Sequence, residues 1–335
     1  MKPALASIVR AARHVPCGRE TAVRAVERGD ITRADMDRSG FIAAQVEEAL
    51  FPADMAVEVA LKLLTSPLPV DAPGWCLYSH IHYQGQPPLW SPASYILSAI
   101  GAQQTMGLNI RQGCNAAMLS LEIACSLLAA GQAQSALCLA ADRFNISGFN
   151  RWSADYGIAY GDGAAGILIG DGACGGAVAD ILAIRSTNAP SLERLHRHAA
   201  PLEEGVFVPH DIRSTKKQFL AEYGAGPLTS ATQAALTLLW TQIQEDTGVR
   251  PADIRHLVLP HLGQTLLREN YCPVFDLPNA QNNIAEGLHV GHLGCADAFH
   301  GLCSVLESRP APGSIALLVG AGAGFSWSLC LVRFR

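Results

Sequence analysis

The chain has 335 residues, 49% of them hydrophobic and only 16% charged, with a formal net charge of -5 and ten cysteines. That length allows two core-sized units, and so apolar a composition makes much of the chain interior or interface, which favours an oligomer. The charge excludes a general nucleic-acid binder, and no uncharged run is long enough for a membrane span.

The cysteines are scattered without CxxC pairs, so they form neither a disulfide framework nor a zinc site, and a reducing cytoplasm fits them best. Met1 to Ala12 mixes Lys2 and Arg10 into a short apolar run without a cleavage pattern, so no leader is expected. Ala4 to Ala12 reads as a strand, and Arg19 to Arg28 as a short polar helix ended by Gly29. Pro52 opens a helix over Ala53 to Leu64, with Met55, Val59 and Leu63 at helical spacing. A proline-broken linker, Thr65 to Gly74, leads to a strand at Trp75 to Ile81 and then to a loop, His82 to Ser91, that carries Gln84, Gly85, Pro87, Pro88 and Trp90. Pro92 to Gln104 is again helical.

Next comes Asn109-Ile110-Arg111-Gln112-Gly113-Cys114-Asn115, where a short apolar strand gives way to a long apolar helix, Ala116 to Ala130, stopped by Gly131. That helix is apolar or small on every face, the pattern of a helix buried all round. A cysteine at such a start lies beside unpaired backbone N–H groups and the positive end of the helix dipole, which favour a thiolate. Cys114 is therefore a candidate nucleophile, against the plainer reading that an unpaired cysteine simply packs. Strands follow at Ser135 to Ala141 and Ala164 to Gly170, and this alternation of strands and helices argues for an α/β class.

The second half replays the first. Ser230 to Gln244 is a helix, Pro251 leads into a strand at Arg255 to Leu259, and Pro260-His261-Leu262-Gly263 forms the loop after it. Gly291-His292-Leu293-Gly294 opens a helix over Cys295 to Ser308, followed by strands at Ser314 to Val319 and Phe325 to Arg333. From Cys114 to Ser135 is 21 positions and from Gly294 to Ser314 is 20. An order and spacing shared in this way imply two similar units, residues 1–175 and 176–335, packed with equivalent helices back to back. The first unit carries an insertion, Arg143 to Asp162, whose Phe144, Phe149, Trp152 and Tyr156 suit a pocket wall, a dimer seam or a plain surface excursion. Ser191 to Tyr223, with His196, Arg197, His198, Lys216 and Lys217, has no readable motif.

The Cys114 unit, Gly161-Asp162-Gly163-Ala164-Ala165, the Pro260-His261 loop, Gly291-His292 and the ending Gly320-Ala321-Gly322-Ala323-Gly324-Phe325-Ser326-Trp327 occur in the order found in thiolase-fold condensing enzymes. The chain most resembles their β-ketoacyl-acyl-carrier-protein synthase III branch, over nearly its whole length. The resemblance implies a five-layered αβαβα fold, a homodimer, and an acyl-enzyme thioester on Cys114. Acyl carrier protein or acyl-CoA would be the donor, with phosphopantetheine or coenzyme A entering as part of the substrate and no resident cofactor. An attacked thioester carbonyl develops an oxyanion that needs fixed donors: the Cys114 backbone N–H is one, and the resemblance supplies Ala323 as the other. His261 is the natural general base or hydrogen-bond donor.

Four departures carry information. Synthase III enzymes place an asparagine where this chain has His292, whose imidazole N–H can still serve an enolate. Asp297, in the first turn of the following helix, only accepts hydrogen bonds when ionised and can orient His261 as the acid of a Ser-His-Asp triad does. A Gly-His-x-Gly-x-x-Asp run of this form is similar to that of synthase III-like acyltransferases of natural-product pathways. Near the entrance, Arg38-Ser39-Gly40-Phe41 looks like the family's Arg-Thr-Gly-Ile, but Ala34 replaces the tryptophan that stacks on the adenine of coenzyme A, with Trp90 or Trp152 as substitutes. Leu266 stands where a carrier-protein-binding arginine is expected, with Arg268 nearby. His289, His292 and Asp297 are suitable metal donors, but no pattern such as HExxH accompanies them and no metal is expected.

The expectation is therefore a ping-pong acyltransferase. Cys114 takes the acyl group, and His261, oriented by Asp297 or His292, activates a small-molecule hydroxyl or amine. Decarboxylative condensation with a malonyl thioester is the alternative. A non-catalytic partner subunit is a third reading, opposed by the presence of both Cys114 and His261.

Overall fold

The structure, a computed structural model, describes residues 3–68, 70–86, 89–146, 148–172, 174–197 and 212–335. His198, Pro87 and Pro88, singled out above, lie outside the described residues. The strands are β1 (Ala6–His14), β2 (Gly18–Thr21), β3 (Ala43–Val46), β4 (Trp75–Ser79), β5 (Met106–Ile110), β6 (Ser135–Asp142), β7 (Gly163–Gly170), β8 (Ala179–Asn188), β9 (Ile254–Val258), β10 (Gln281–Asn282), β11 (Ile315–Gly322) and β12 (Ser326–Phe334). The helices are α1 (Ala22–Glu27), α2 (Arg33–Ser39), α3 (Pro52–Leu63), α4 (Pro92–Ala99), α5 (Ala116–Ala129), α6 (Ile212–Tyr223), α7 (Gly226–Thr247), α8 (Gln264–Asn270), α9 (Ile284–Val290) and α10 (Asp297–Glu307).

Ten strands run in the order β10-β9-β11-β12-β8-β1-β7-β6-β4-β5. Read outward from the centre, β1-β7-β6-β4-β5 and β8-β12-β11-β9-β10 are one topology written twice, with antiparallel pairing near the centre and parallel pairing toward the edges. The halves meet where Ala6, Ser7 and Ile8 pair with Ile181, Asp180 and Ala179. A division at 175/176 falls between β7 and β8.

Side-chain alternation turns this pairing into layers, because successive strand residues point to opposite faces. On β6, Ala136, Cys138 and Ala140 join the cluster that holds α5 and α10, whereas Leu137, Leu139 and Ala141 pack on the other side with α3 and α4. On β12, Cys330, Val332 and Phe334 face the middle, and Trp327, Leu329 and Leu331 face α7. Helices therefore lie outside each half-sheet and between the two, giving the expected five-layered αβαβα fold. Small residues on α5 (Ala116, Ala117, Ala124) and α10 (Ala296 before it, Ala298) let the middle helices approach both sheets closely.

Several local readings change. The polar segment after Arg19 begins as β2, which pairs with β3, and turns helical only from Ala22, because the Thr21 side chain caps that start. β8, α2 and α6 had no counterpart in the sequence reading. The helix after Pro92 ends at Ala99 instead of Gln104, at a turn where Gly101 adopts φ +74°. α5 is not buried all round within one chain, since Ile123 is 39% exposed. The helix placed at Cys295 begins with a 3₁₀ turn, Gly294–Ala296, and its α-helical part starts at Asp297.

Candidate active site

Cys114 sits two residues before α5, in a turn closed by the Ala116 N–H donating to Gly113 O at 3.2 Å. Gly113 takes φ +53°, and a Cβ there would lie 2.5 Å from both N and O of Ala323. A Cβ on Gly322 would lie 2.6 Å from the Cys114 nitrogen. Absent side chains thus let the β11–β12 turn press its backbone onto the backbone of Cys114, the contact an oxyanion site needs. Asn115 fixes the turn from below, donating from Nδ2 to Ser328 Oγ at 2.8 Å and Ser326 Oγ at 3.1 Å.

His292 Nε2 lies 2.9 Å from Cys114 Sγ, and His292 Nδ1 lies 2.5 Å from Asp297 Oδ2. A carboxylate cannot donate, so Nδ1 carries the proton and Nε2 faces the sulfur. Asp297 also accepts from the backbone N–H groups of Leu293 and His261, each at 2.8 Å. Burial alone would raise its pKa, but the charges of His292 and His261 and these hydrogen bonds hold the carboxyl well below its usual range. For His292, burial works against the cation, and the charges of Asp297 and Cys114 outweigh it, holding the imidazole well above its usual value. The three side chains form a line of thiol, imidazole and carboxylate.

His261 is placed differently from the expectation. Its Nδ1–H donates to Gly291 O at 3.0 Å, its ring packs edge-on to His300 at 5.4 Å, and a Cβ on Gly287 would touch it at 3.0 Å. The buried Nε2 has no partner among the described residues. Asp297 therefore orients His292 through its ring and His261 mainly through its backbone, with His261 Nδ1 3.5 Å from Asp297 Oδ1.

Two further residues, Asp142 and Tyr160, had no advance reading of their own. Asp142, fully buried at the end of β6, accepts from the N–H groups of Ile81, His82 and Cys295, and its carboxyl is pushed up to about 6 by burial, against those hydrogen bonds. It ties the 3₁₀ turn before Asp297 to the first half of the molecule. The Tyr160 ring lies 5.5 Å from the His292 ring, tilted by 53°, and continues into Phe144 at 4.5 Å and Phe149 at 5.2 Å, so the aromatic insertion reaches the site. The insertion's density of aromatics was the only sequence signal for this.

A cleft with Arg38, Phe41, Trp152, Asp155, Tyr156 and Arg213 on its walls runs between residues 155–159 and 263–266, segments that continue to Tyr160 and from His261. Leu266 lines it, while Arg268 is exposed on α8, bonded at 3.4 Å to Gln264. Trp90 packs on Tyr95 at 5.9 Å at the start of α4 and is not among the cleft residues. Among the described residues no group of three or more metal-ligating side chains occurs, and no helix is long and apolar enough to cross a membrane.

Five layers from two equivalent halves, with a cysteine at a central helix start facing a histidine and a carboxylate, define a thiolase-fold condensing enzyme. Within that class the chain belongs to the 3-oxoacyl-[acyl-carrier-protein] synthase III-like family: that family's profile matches residues 108–186, and the profile of its C-terminal part matches residues 244–334. The β-ketoacyl-[acyl-carrier-protein] synthase III of Erythrobacter litoralis is 25% identical over 261 residues, covering 72% of each chain, and that of Rhodospirillum centenum is 26% identical over 247 residues, again 72% of each. Among solved structures, an acyltransferase designated ChlB3 is 27% identical with a TM-score of 0.87, over 98% of this chain and 97% of that one. The synthase III of Aquifex aeolicus, 18% identical with a TM-score of 0.76 over 98% and 100% of the two chains, shares the fold.

Proposed function

We propose that the protein transfers an acyl group from a carrier-protein or coenzyme A thioester, through Cys114, to a hydroxyl or amine of a small acceptor. The observation that carries this reading is the ionised Asp297 held 2.5 Å from His292, with His292 in turn 2.9 Å from the Cys114 sulfur. This assigns His292, instead of His261, the role of general base.

The steps follow from charge. Thiolate attack on the donor carbonyl forms a tetrahedral oxyanion, for which the backbone N–H groups of Cys114 and Ala323 are the proposed donors. Collapse expels the pantetheine thiolate, which takes the proton from His292. Acylation also removes the negative charge of Cys114, one of the two that keep His292 protonated, so the imidazole is left neutral with Asp297 alone sustaining its basicity. It then accepts the proton of the acceptor as oxygen or nitrogen attacks the thioester, and loss of the Cys114 thiolate restores the starting pair.

The second reading is decarboxylative condensation, favoured by the curated relatives, which are synthases. A buried carboxylate behind the histidine opposes it, because an enolate developing nearby gains repulsion where it needs donors. The cleft, with Arg38 and Arg213 at its walls, is the proposed donor route, and the exposed apolar Met106 and Leu108 on edge strand β5 and Ile123 on α5 support a homodimer.

Intact-mass measurement with a panel of acyl thioesters is the test. An adduct that is absent from Cys114→Ala supports the nucleophile, an adduct that survives that substitution sinks the assignment of Cys114, and no adduct with any donor favours a non-catalytic subunit. Release of carbon dioxide with carbon–carbon bond formation, when the acylated protein meets malonyl carrier protein, would overturn acyl transfer in favour of condensation.

A further inference from the structure

His292 is held at both of its backbone groups by the aromatic insertion. Its N–H donates to Ala159 O at 2.7 Å, and its carbonyl accepts from the Gly161 N–H at 2.9 Å. The residue between them, Tyr160, turns its own backbone groups the other way, and both are taken by Arg151: the Tyr160 N–H donates to Arg151 O at 2.9 Å, and Arg151 Nη1 donates to Tyr160 O at 2.7 Å. The segment is thus an extended turn of chain, bridged to His292 on one edge and to Arg151 on the other.

Arg151 is only 6% exposed. Its Nη2 donates to Asp162 Oδ2 at 3.0 Å and its Nη1 to Gln45 O at 3.2 Å. Asp162, fully buried, accepts in addition from the N–H of Phe144 at 2.7 Å and of Glu47 at 2.9 Å, which roots it in the end of β6 and the edge of β3. A buried ion pair is weak evidence for stability, since apolar residues of similar volume often do as well. What a guanidinium adds is a planar fork able to hold a carboxylate and two carbonyls at fixed angles.

We infer that Arg151, braced by Asp162, is a positioning residue: it fixes the Ala159–Gly161 segment and through it the distance from His292 to Cys114. This rests on the acyl-transfer role proposed for Cys114 and His292. Displacing a reacting group by about 1 Å costs on the order of a hundredfold in rate, so a clamp two residues removed from the chemistry has leverage.

The test is Arg151→Lys, which keeps the charge beside Asp162 but gathers its three N–H donors on one nitrogen, without the planar fork that reaches Asp162, Gln45 O and Tyr160 O from separate atoms. Alkylation of Cys114 by iodoacetamide, followed by peptide mass across pH, reads the contact with His292 without any substrate. The expected result is a folded protein whose alkylation below about pH 7 is slowed about tenfold and follows the profile of an unassisted thiol. Acyl transfer in the same variant is expected to lose about ten- to a hundredfold in kcat, with KM for the acceptor within about threefold. A folded Arg151→Lys with wild-type profile and kcat overturns the proposal, as does a loss that merely tracks the folded fraction seen by circular dichroism. Asp162→Asn, which keeps an acceptor for the Phe144 N–H and removes the charge facing Arg151, is the second variant: a shifted profile in folded protein supports the clamp and an unshifted one overturns it. Should the wild-type protein take no acyl group, the functional reading fails, and the alkylation profile still decides on Arg151.

Discussion

Replacing Asp297 by Asn tests whether the carboxylate serves the chemistry. The side chain receives three donors, His292 Nδ1–H at 2.5 Å and the N–H groups of His261 and Leu293 at 2.8 Å. An amide offers one oxygen. If it keeps the Leu293 contact on the Oδ1 side, its NH₂ points at two groups that are themselves donors. His292 then loses a charge-assisted bond worth about 1.5–3 kcal/mol, and at about 1.4 kcal/mol per decade that alone is roughly ten- to 150-fold. Turning the imidazole to the tautomer that carries its proton on Nε2 compounds the loss, as in serine-protease triads, where the same substitution costs about 10⁴. The expected fall in kcat for acyl transfer is about 10²- to 10⁴-fold, with the protein still folded. Stopped-flow measurement of donor thiol release and acceptor acylation separates the two half-reactions, and the second should suffer at least as much as the first. The pH dependence of stability follows too. The folded pKa of Asp297 lies below the unfolded one, so its contribution is present above about pH 4 and lost as the pH falls, and the wild type should lose stability relative to Asp297→Asn in that acid range. Transfer by Asp297→Asn within threefold of wild type would refute the argument.

Further outcomes are expected. His292→Ala should slow acyl transfer by about 10²–10⁴, the usual worth of a positioned base, and His261→Ala by clearly less, since the Asp297 contact to residue 261 is mainly to its backbone; equal losses in parallel kinetics would restore His261 as the base. Gly294→Ala puts a Cβ 2.3 Å from Asp142 Oδ2 at φ +62°, and strain plus overpacking should cost about 2–4 kcal/mol in urea unfolding. A cost under about 1 kcal/mol would mean the turn relaxes freely. Asp142 is the reverse case of Asp297: its folded pKa of about 6 lies above the unfolded value, so the folded chain holds its proton more tightly and stability falls as pH rises from about 4 to about 6. Relative to Asp142→Asn the wild type should therefore lose stability across that window, and a difference independent of pH would contradict the assignment.

The duplication and the site turn were legible because both rest on local chemistry. Gly113 before Cys114, the Gly-rich ending at Gly320 to Gly324, and Asp297 at a helix start are read from what each residue permits in the backbone. Strand periodicity was harder: β6 and β12 are buried on both faces and read as continuous apolar runs, so existence was clear but the inward and outward sets were not. β8 escaped because its second half, Arg185 to Asn188, is polar, and its partners are strands that lie far apart in the sequence. That His292, and not His261, carries the ring facing the Cys114 sulfur could not be seen at all. Both sit after a strand or a glycine turn, and only the pairing of His292 with Ala159 and Gly161, 133 and 131 positions away, brings its ring to Cys114. Arg151 was invisible for the same reason, since a single arginine in an aromatic loop announces nothing until Tyr160 and Asp162 close around it.

The two halves contribute one equivalent place each, and the site is what their juxtaposition makes possible. α5 and α10 hold the same position in the repeated topology, and they meet in one buried cluster with their starts toward Cys114 and Asp297. A helix start favours an anion, and two starts converging from opposite halves favour two. The Cys114 sulfur lies at one start and the Asp297 carboxylate at the other, with His292 between them, its protonated form raised by the charges of both. In the proposed transfer, removing either charge changes the imidazole: acylation would remove the first and free the base when an acceptor is needed, and Asp297→Asn would remove the second and leave the base unaimed. In the proposed reaction, the asymmetry of cysteine in one copy and aspartate in the other is what lets a duplicated fold carry a two-step transfer.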